Sequence, residues 1–372
     1  MNLLKLNQEI LIKKFHILTL QMAPRARKVR PRAAKPNEEL ANILLEIGEY
    51  EKNVNLQPFK YQAYRRAAQS LSEHPEKIKR IEDAKALKGI GKRISEKISE
   101  YLKTGKVSKL MEARKNDKSK ILKELTRVAG VGPSHAQKLL SEGIKSLEDL
   151  KSHQNLLTHQ QIIGLKYVDD FEQRIPRSEM AEIEKFLFEK IKKIDKDYTI
   201  TLCGSYRRGL ESSGDVDLLI THPNYVSLRY AEEYRLKATK NLIIETKKSP
   251  IDLLKNIVNK LSEIGFISDT LALGETKFMG VCKVAHDKLH RRIDIRLLPY
   301  DEYYCGVFYM TGSDVFNRDI RKIAKEKNFI LNEYCLRKLN PDGTPGKALK
   351  VESEEDIFRH LGIDFIPLEE RY

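Results

Sequence analysis

Four cysteines in 372 residues, Cys203, Cys282, Cys305 and Cys335, are too few and too scattered to staple the chain together. None falls in a CxxC or Cys/His spacing, so neither a disulfide framework nor a thiolate zinc site organises the fold. We expect reduced thiols in an intracellular setting. Long apolar runs are missing too. Nothing approaches the roughly 20 consecutive apolar residues of a membrane helix, and the first twenty residues lack the small-residue cleavage pattern of a secretory signal. A soluble chain of two or three domains, with no membrane partner, is the expectation.

Acid is the next shortage. The 68 Lys and Arg outnumber the 53 Asp and Glu, leaving +15 and a pI near 9.4, a balance that suits a polyanion such as nucleic acid. The excess is uneven, because residues 1–36 carry nine basic residues against the single acid Glu9. Residues 1–21 are amphipathic and basic, which permits either a mitochondrial presequence or an upstream start with Met22 as the true beginning. Arg25 to Lys35 holds six basic residues and no acid, so we read 1–36 as a basic, disordered extension able to touch phosphate or act as a nuclear address.

From Asn37 to about Arg114 the spacing is helical: Leu40, Ile43, Leu44 and Ile47 recur at i, i+3, i+4 and i+7, with Pro58, Pro75 and Gly89 as punctuation. This predicts a small four-helix unit. A second helical stretch runs from Ile121 to Phe171, and an internal repeat joins the two. Gly89-Ile-Gly-Lys-Arg-Ile is echoed 41 residues later by Gly130-Val-Gly-Pro-Ser-His. After Pro176 a helix over Met180–Ile194 gives way to runs that read as strands: 199–203, 216–221, 292–298 and 303–310. The fold class is therefore multidomain α+β.

Each copy of the repeat places a Gly-x-Gly turn before a helix, so backbone N–H groups at the helix start are free to meet phosphate. A sharper pattern follows. Gly204-Ser205 precedes Asp215-Val-Asp217 inside an apolar run, and Arg292-Ile-Asp294-Ile-Arg supplies a third acid in another alternating run. Side chains alternate along a strand, so Asp215 and Asp217 share one face while Val216 and Leu218 enter the core. If the two strands pair, Asp294 comes within about 5 Å of that pair. Carboxylates so close repel unless a cation lies between them, and hard Mg²⁺, with Mn²⁺ as substitute, takes such oxygens. Three acids suit two ions, Asp215 and Asp217 bridging both and Asp294 serving the one that meets an attacking hydroxyl. Gly204, Ser205, Arg208, Ser213 and Gly214 are placed to cradle phosphates.

The residues GSYRRG (204–209), GDVD (214–217) and RRIDIR (291–296) resemble the nucleotidyltransferase superfamily, and within it the family X DNA polymerases of the beta type. Further stretches extend the resemblance from about Glu39 to the C-terminus, among them KYQAYR (60–65), LTRVAGVGPS (125–134), GLKYVDDFEQRIPR (164–177), GETKFMGVC (274–282) and YYCGVFYMTGSDVFN (303–317). It implies a helical 5′-deoxyribose-phosphate lyase domain over 37–114, a helix-hairpin-helix, thumb-like subdomain over 115–175, a catalytic palm over 176–298 and a nucleotide-selection subdomain over 299–372. It further implies that Tyr309, Gly312 and Asp314 border an incoming dNTP, that Asn317 meets its minor-groove edge, that Arg321 meets the template and that Arg174 meets the triphosphate. Na⁺ or K⁺ would sit on the carbonyls of Lys85, Leu87 and Ile90, and of Thr126, Val128 and Val131. Lys97 would attack C1′ of a 5′-deoxyribose phosphate held by Lys60, Tyr64 and Arg93, with Glu96 and Lys109 as neighbours.

The family pattern is broken at Phe59, where a histidine is expected, at Arg93, where a lysine is expected, and at Met310, where an aromatic is expected, which leaves ribose exclusion open. The stretch Tyr225–Ser249 reads as a surface insertion. The implied function is short-gap filling in base-excision repair by a monomer that works on gapped or nicked DNA with repair-protein partners in the nucleus, the N-terminal extension also permitting a mitochondrial address. A template-independent nucleotidyltransferase and a non-catalytic DNA-gap scaffold stand as alternatives. Nothing in the chain resembles a proofreading exonuclease.

Overall fold

A computed structural model describes residues 36–237, 243–244 and 253–371. Residues 1–35 of the basic extension, and 238–242 and 245–249 of the 225–249 segment, lie outside the described residues. The rest of that segment is not the surface insertion expected, because Tyr225–Val226 pairs with Ile243–Ile244 and Tyr225 and Ile243 are buried in the core of the second unit. The chain divides into two units, Met1–Val168 and Asp169–Tyr372.

The first unit is helical. Helices Glu38–Asn53, Pro58–Glu73, Lys92–Thr104 and Ser108–Lys115 supply the four expected, and a single turn, Ile81–Lys85, precedes the first glycine hairpin. Proline opens the second helix at its first position, where its missing N–H costs nothing. Their apolar stripes meet in one core in which Leu44, Ile47, Leu71 and Ile98 are fully buried. A second core, built on Leu122, Leu125, Leu139 and Leu150, gathers helices Asp117–Leu125, Pro133–Ser141, Leu147–Ser152 and His159–Lys166. Ser146 and Thr158 begin the last two with reciprocal capping boxes. The Gln137 amide donates to the carbonyls of Asn53 and Val54 at 2.9 Å each, tying the two cores.

The repeat seen in the sequence is a repeat of geometry. Gly89 and Gly130 hold φ of +88° and +89°, values open to glycine at little cost. Ile90 N–H donates to the Leu87 carbonyl as Val131 N–H donates to that of Val128. Gly91 and Gly132 then start their helices from extended backbone, and a methyl group at either would meet nothing within 4 Å.

In the second unit a five-stranded sheet runs Thr199–Leu202, Val216–Thr221, Arg291–Leu297, Lys277–Cys282, Ile267–Leu273 in spatial order. The second and third of these are parallel neighbours and the other pairs are antiparallel. Helices Arg177–Ile194 and Leu253–Glu263 close one face through Leu187, Ile191, Leu254 and Leu261, all fully buried against Val216, Leu218, Ile293 and Ile295. At the opening of the unit a buried ion pair joins Arg291 to Glu179 through two bonds of 2.7 and 2.8 Å.

The run 303–310, expected as a strand, is instead the helix Tyr303–Thr311. Its aromatic and β-branched composition favours a strand, but Tyr303, Cys305, Gly306, Val307, Phe308 and Thr311 are buried on nearly every side. A short run apolar all round carries no period by which sequence could tell the two apart. Gly306 lets this helix press on the sheet, since a methyl group there would lie 2.3 Å from a Leu298 methyl. Helices Asp314–Glu326 and Glu354–Leu361 and a three-stranded sheet, 329–331, 336–339 and 345–348, complete the unit.

Arg371 is wholly buried at the end of the chain. Its guanidinium lies 5.2 to 5.6 Å from the rings of Phe308, Phe316, Phe358 and Phe365 and donates to Glu354 at 2.6 Å. Glu354 in turn accepts from Arg207, and the Arg371 carbonyl accepts from Ser313 N–H at 3.2 Å. We expect Arg371→Ala to destabilise this unit by about 3 kcal/mol, the scale for breaking a buried pair, as measured by denaturant unfolding.

Candidate active site and nucleic-acid contacts

The parallel pairing of Val216–Thr221 with Arg291–Leu297 sets Asp217 opposite Asp294. Val216, Leu218, Ile293 and Ile295 are fully buried on one face, so alternation turns the two acids to the other. Asp215, just before the strand, accepts from the Arg292 guanidinium at 2.8 Å. Burial first, and then the charges of Asp215 and Asp294, push the Asp217 carboxyl up to about 7, against the pull of Arg292 and Arg208. Asp294 is raised as well, chiefly by burial, with Arg292 and Lys277 acting against it. No described residue hydrogen-bonds to the carboxylate of Asp217 or Asp294. Three crowded carboxylates, of which Asp215 alone is ion-paired among the described residues, fit a hard divalent cation.

The turn beside them is shaped by the same carboxylate. Gly204 sits at φ +56°, and a methyl group on it would lie 2.2 Å from Asp217 Oδ2. Cys203 N–H holds the strand by donating to the Asp217 carbonyl at 2.8 Å. The helical turn Gly204–Arg207 starts here, with Ser205 in its first turn. Across from it Arg174 grips Ser212 through the hydroxyl at 2.8 Å and the carbonyl at 2.6 Å, next to Ser213 and Gly214. The Ser213 hydroxyl is buried and has no hydrogen-bond partner among the described residues. Arg208 donates to the Thr311 carbonyl and Arg207 to the Thr311 hydroxyl at 2.7 Å, tying this cradle to the turn at Gly312.

After that turn Ser313 caps the helix that begins at Asp314 by accepting from Phe316 N–H. Asn317 donates to the Tyr309 carbonyl at 2.7 Å, Arg321 Nε donates to the Asn317 carbonyl at 3.1 Å, and the Arg321 guanidinium lies 5.8 Å from the Tyr309 ring centre. Tyr309, Asn317 and Arg321 thus form one cluster, with Tyr309 partly exposed.

In the first unit a separate cationic group surrounds Glu51, which is 2% exposed. Its carboxylate takes Lys109 at 2.5 Å, Asn55 at 3.0 Å and Lys60 at 3.5 Å. Lys97 has no ion pair among the described residues. Its amine donates to the Arg93 carbonyl at 3.2 Å, and burial together with Lys109 holds its pKa below the usual lysine range. Tyr64 is buried beside the cluster, and burial and Glu51 push its hydroxyl up to about 12. Arg93 and Glu96 stay exposed on their helix, outside the carboxylate's reach, and Phe59 is 87% exposed on the adjoining helix.

Comparison with known proteins follows this division. Family models match as a helix-hairpin-helix domain over 35–107, the fingers domain of DNA polymerase lambda over 123–172, the DNA polymerase beta palm over 174–300 and the DNA polymerase beta thumb over 306–372. The chain is 32% identical to DNA polymerase lambda of Rattus norvegicus and to that of Arabidopsis thaliana, with 90% of the chain aligned each time. The chain belongs to the family X DNA polymerases. A DNA nucleotidylexotransferase of Xenopus laevis is 29% identical over 83% of it. The chain spans 57%, 60% and 63% of the length of these three relatives. The models name as fingers the region that the sequence reading calls thumb-like, and as thumb the nucleotide-selection region; the order of the parts is the same.

Three features of this family X chain escape the motif reading. Glu51 had a signal, since it continues the buried stripe Leu40, Leu44, Ile47 where an aliphatic residue would be expected. The Arg207–Glu354–Arg371 link had none, because its members lie far apart in sequence. Asp195, Asp197 and His222 each offer a metal-ligating atom within 4.8 Å of the others. There, however, His222 Nδ1 accepts from Asn224 N–H, which puts the ring proton on Nε2 facing Asp195 at 3.3 Å and leaves no imidazole lone pair for a metal.

Two outcomes follow for the carboxylate site. Gly204→Ala should displace Asp217 and weaken Mn²⁺ binding at the three carboxylates while the chain still folds, as measured by electron paramagnetic resonance beside circular dichroism. The raised Asp217 pKa means the folded chain keeps a proton that the unfolded chain has released between about pH 4 and 7. Its destabilising effect is therefore full above pH 7 and fades as pH falls towards 4. Asp217→Asn should stabilise the chelator-treated protein by about 1–3 kcal/mol at pH 8, with the gain lost near pH 4, as measured by denaturant unfolding.

Proposed function

We propose that the chain is a template-directed DNA polymerase that fills short gaps during base-excision repair and also removes 5′-deoxyribose phosphate. One observation carries the first activity: the strand register that sets Asp217 against Asp294, beside Asp215 and the glycine turn at 204. Asp215, Asp217 and Asp294 would hold two Mg²⁺, or Mn²⁺, which lower the pKa of the primer 3′-OH and neutralise the departing pyrophosphate. The protein's own part is placement. Gly204, Ser205, Arg208, Ser213 and Gly214 would receive the triphosphate of a dNTP, with Arg174 as a further contact. Tyr309, Gly312 and Asp314 would border its sugar and base, while Asn317 and Arg321 read the pair and the template. The two glycine hairpins would take the DNA backbone at Gly91 and Gly132, with Na⁺ or K⁺ on the neighbouring carbonyls.

Lys97 would be the lyase nucleophile. Schiff-base formation needs a neutral amine, and burial together with Lys109 favours that form of Lys97 by lowering its pKa, against the pull of Glu96, Glu51 and Glu100. Lys60, Tyr64 and Arg93 would receive the 5′-phosphate. Repair proteins as partners, a monomeric state and a nuclear or mitochondrial address belong to the same proposal. The resemblance to a nucleotidylexotransferase keeps template-independent addition as the second reading.

Primer extension decides between them. On gapped DNA with Mg²⁺ the chain should copy the template base, and Asp294→Ala should lose on the order of 10²–10³-fold in rate, the scale of removing a charge-stabilising group. Equal addition without a template would favour the transferase, and no synthesis by the parent chain would favour a scaffold. Borohydride trapping on an incised abasic duplex should mark Lys97, and undiminished trapping by Lys97→Ala would remove it from that role.

A further inference from the structure

The lysine cluster of the first unit is asymmetric in a way that the lyase reading does not use. Three amines, Lys60, Lys97 and Lys109, surround a single carboxylate that water barely reaches, the Glu51 side chain being 3% exposed. Two of the three are bound to it, Lys109 at 2.5 Å and Lys60 at 3.5 Å, and Asn55 occupies a further acceptor position at 3.0 Å. Lys97 alone turns away, to the Arg93 carbonyl one turn back on its own helix. An amine paired with a buried carboxylate keeps its proton and cannot attack a carbonyl carbon. Lys97, half-buried beside Lys109 and in no ion pair among the described residues, is held below the usual lysine range although the charges of Glu96, Glu51 and Glu100 act the other way. Glu51 occupies a position where the stripe of its helix calls for an aliphatic residue, and a buried acid there has to be repaid by the cations it holds.

We propose that Glu51 is the specificity-determining residue of the lyase site: it holds Lys109 and Lys60 in ion pairs and so leaves Lys97 as the one amine of the three not bound to a carboxylate and able to form the Schiff base. This rests on the lyase reading above. Glu51 is not cast as the base for the elimination, because its carboxyl is held below the usual range by Lys109, Asn55 and Lys60 despite its burial, and so binds a proton poorly. In the trapped reaction the neutral amine adds to C1′ of the ring-opened sugar and water leaves. Borohydride then delivers hydride to the iminium carbon, fixing a secondary amine on whichever lysine attacked.

The test is the identity of that lysine. The full chain and its Glu51→Gln variant are treated with borohydride on an incised abasic duplex, and the adduct is mapped by peptide mass spectrometry. The parent chain should carry it on Lys97, whereas Glu51→Gln should carry it on Lys109 or Lys60 as well. In a Lys97→Ala background, adding Glu51→Gln should raise the residual trapping about tenfold, the scale of one pK unit released, and Lys109→Arg should lower it again, because a guanidinium forms no Schiff base. If Glu51→Gln fails to fold, Glu51→Asp replaces it, since a side chain shorter by one methylene withdraws from Lys109 while keeping its charge. Adducts confined to Lys97 in every Glu51 variant, with no gain over Lys97→Ala, would overturn the proposal and leave the lyase reading standing. Absence of trapping by the parent chain would overturn both.

Discussion

Two acidic side chains on neighbouring parallel strands, Asp217 and Asp294, face each other in register with little water to screen them. Burial of the Asp217 carboxylate, beside the charges of Asp215 and Asp294, is the constraint on which the second unit is built. It is sustained by apolar residues on the opposite face of the same strands, where Val216, Leu218, Ile293 and Ile295 are fully buried beneath two helices. Burial of the sheet supplies the stability that the acids spend, as is common where a fold carries a strained site. Gly204 belongs to the same constraint, since only a residue without a side chain leaves room for the Asp217 oxygen.

From there the structure extends by hydrogen bonds rather than by further acids. Arg207 and Arg208, one turn beyond Gly204, both reach Thr311, and Arg207 continues to Glu354 and so to Arg371. The end of the chain is thereby fastened to the turn that leads into Asn317 and Arg321. The glycine turn proposed to cradle phosphate and the surface proposed to read a base pair are therefore parts of one polar network, held by a buried guanidinium among four phenylalanine rings.

Most of this site was legible in the sequence because its chemistry is local. Asp-x-Asp in an apolar run, a third acid in a second alternating run and a glycine turn nearby specify both the alternation and the pairing, and 216–221 is the strand expected. The hairpins were legible for the same reason, as their two glycines recur at one spacing and adopt one geometry. What failed was the segment 303–310, where a run buried on all sides has no period, and tertiary packing against Leu298 makes the choice that composition cannot. Glu51 and Arg371 were overlooked for a different reason: a buried charge is recognisable only by its partners, and those partners come from distant parts of the chain.

The central claim is that the three aspartates form a cation site whose occupancy requires Asp217 to lose its proton. Binding of Mn²⁺, followed by electron paramagnetic resonance as pH is lowered from 8 to 5, tests it most directly. The account predicts affinity that weakens as pH falls through about 7 and is lost in Asp217→Asn at every pH. Tight binding that is independent of pH and unchanged in that variant would contradict it.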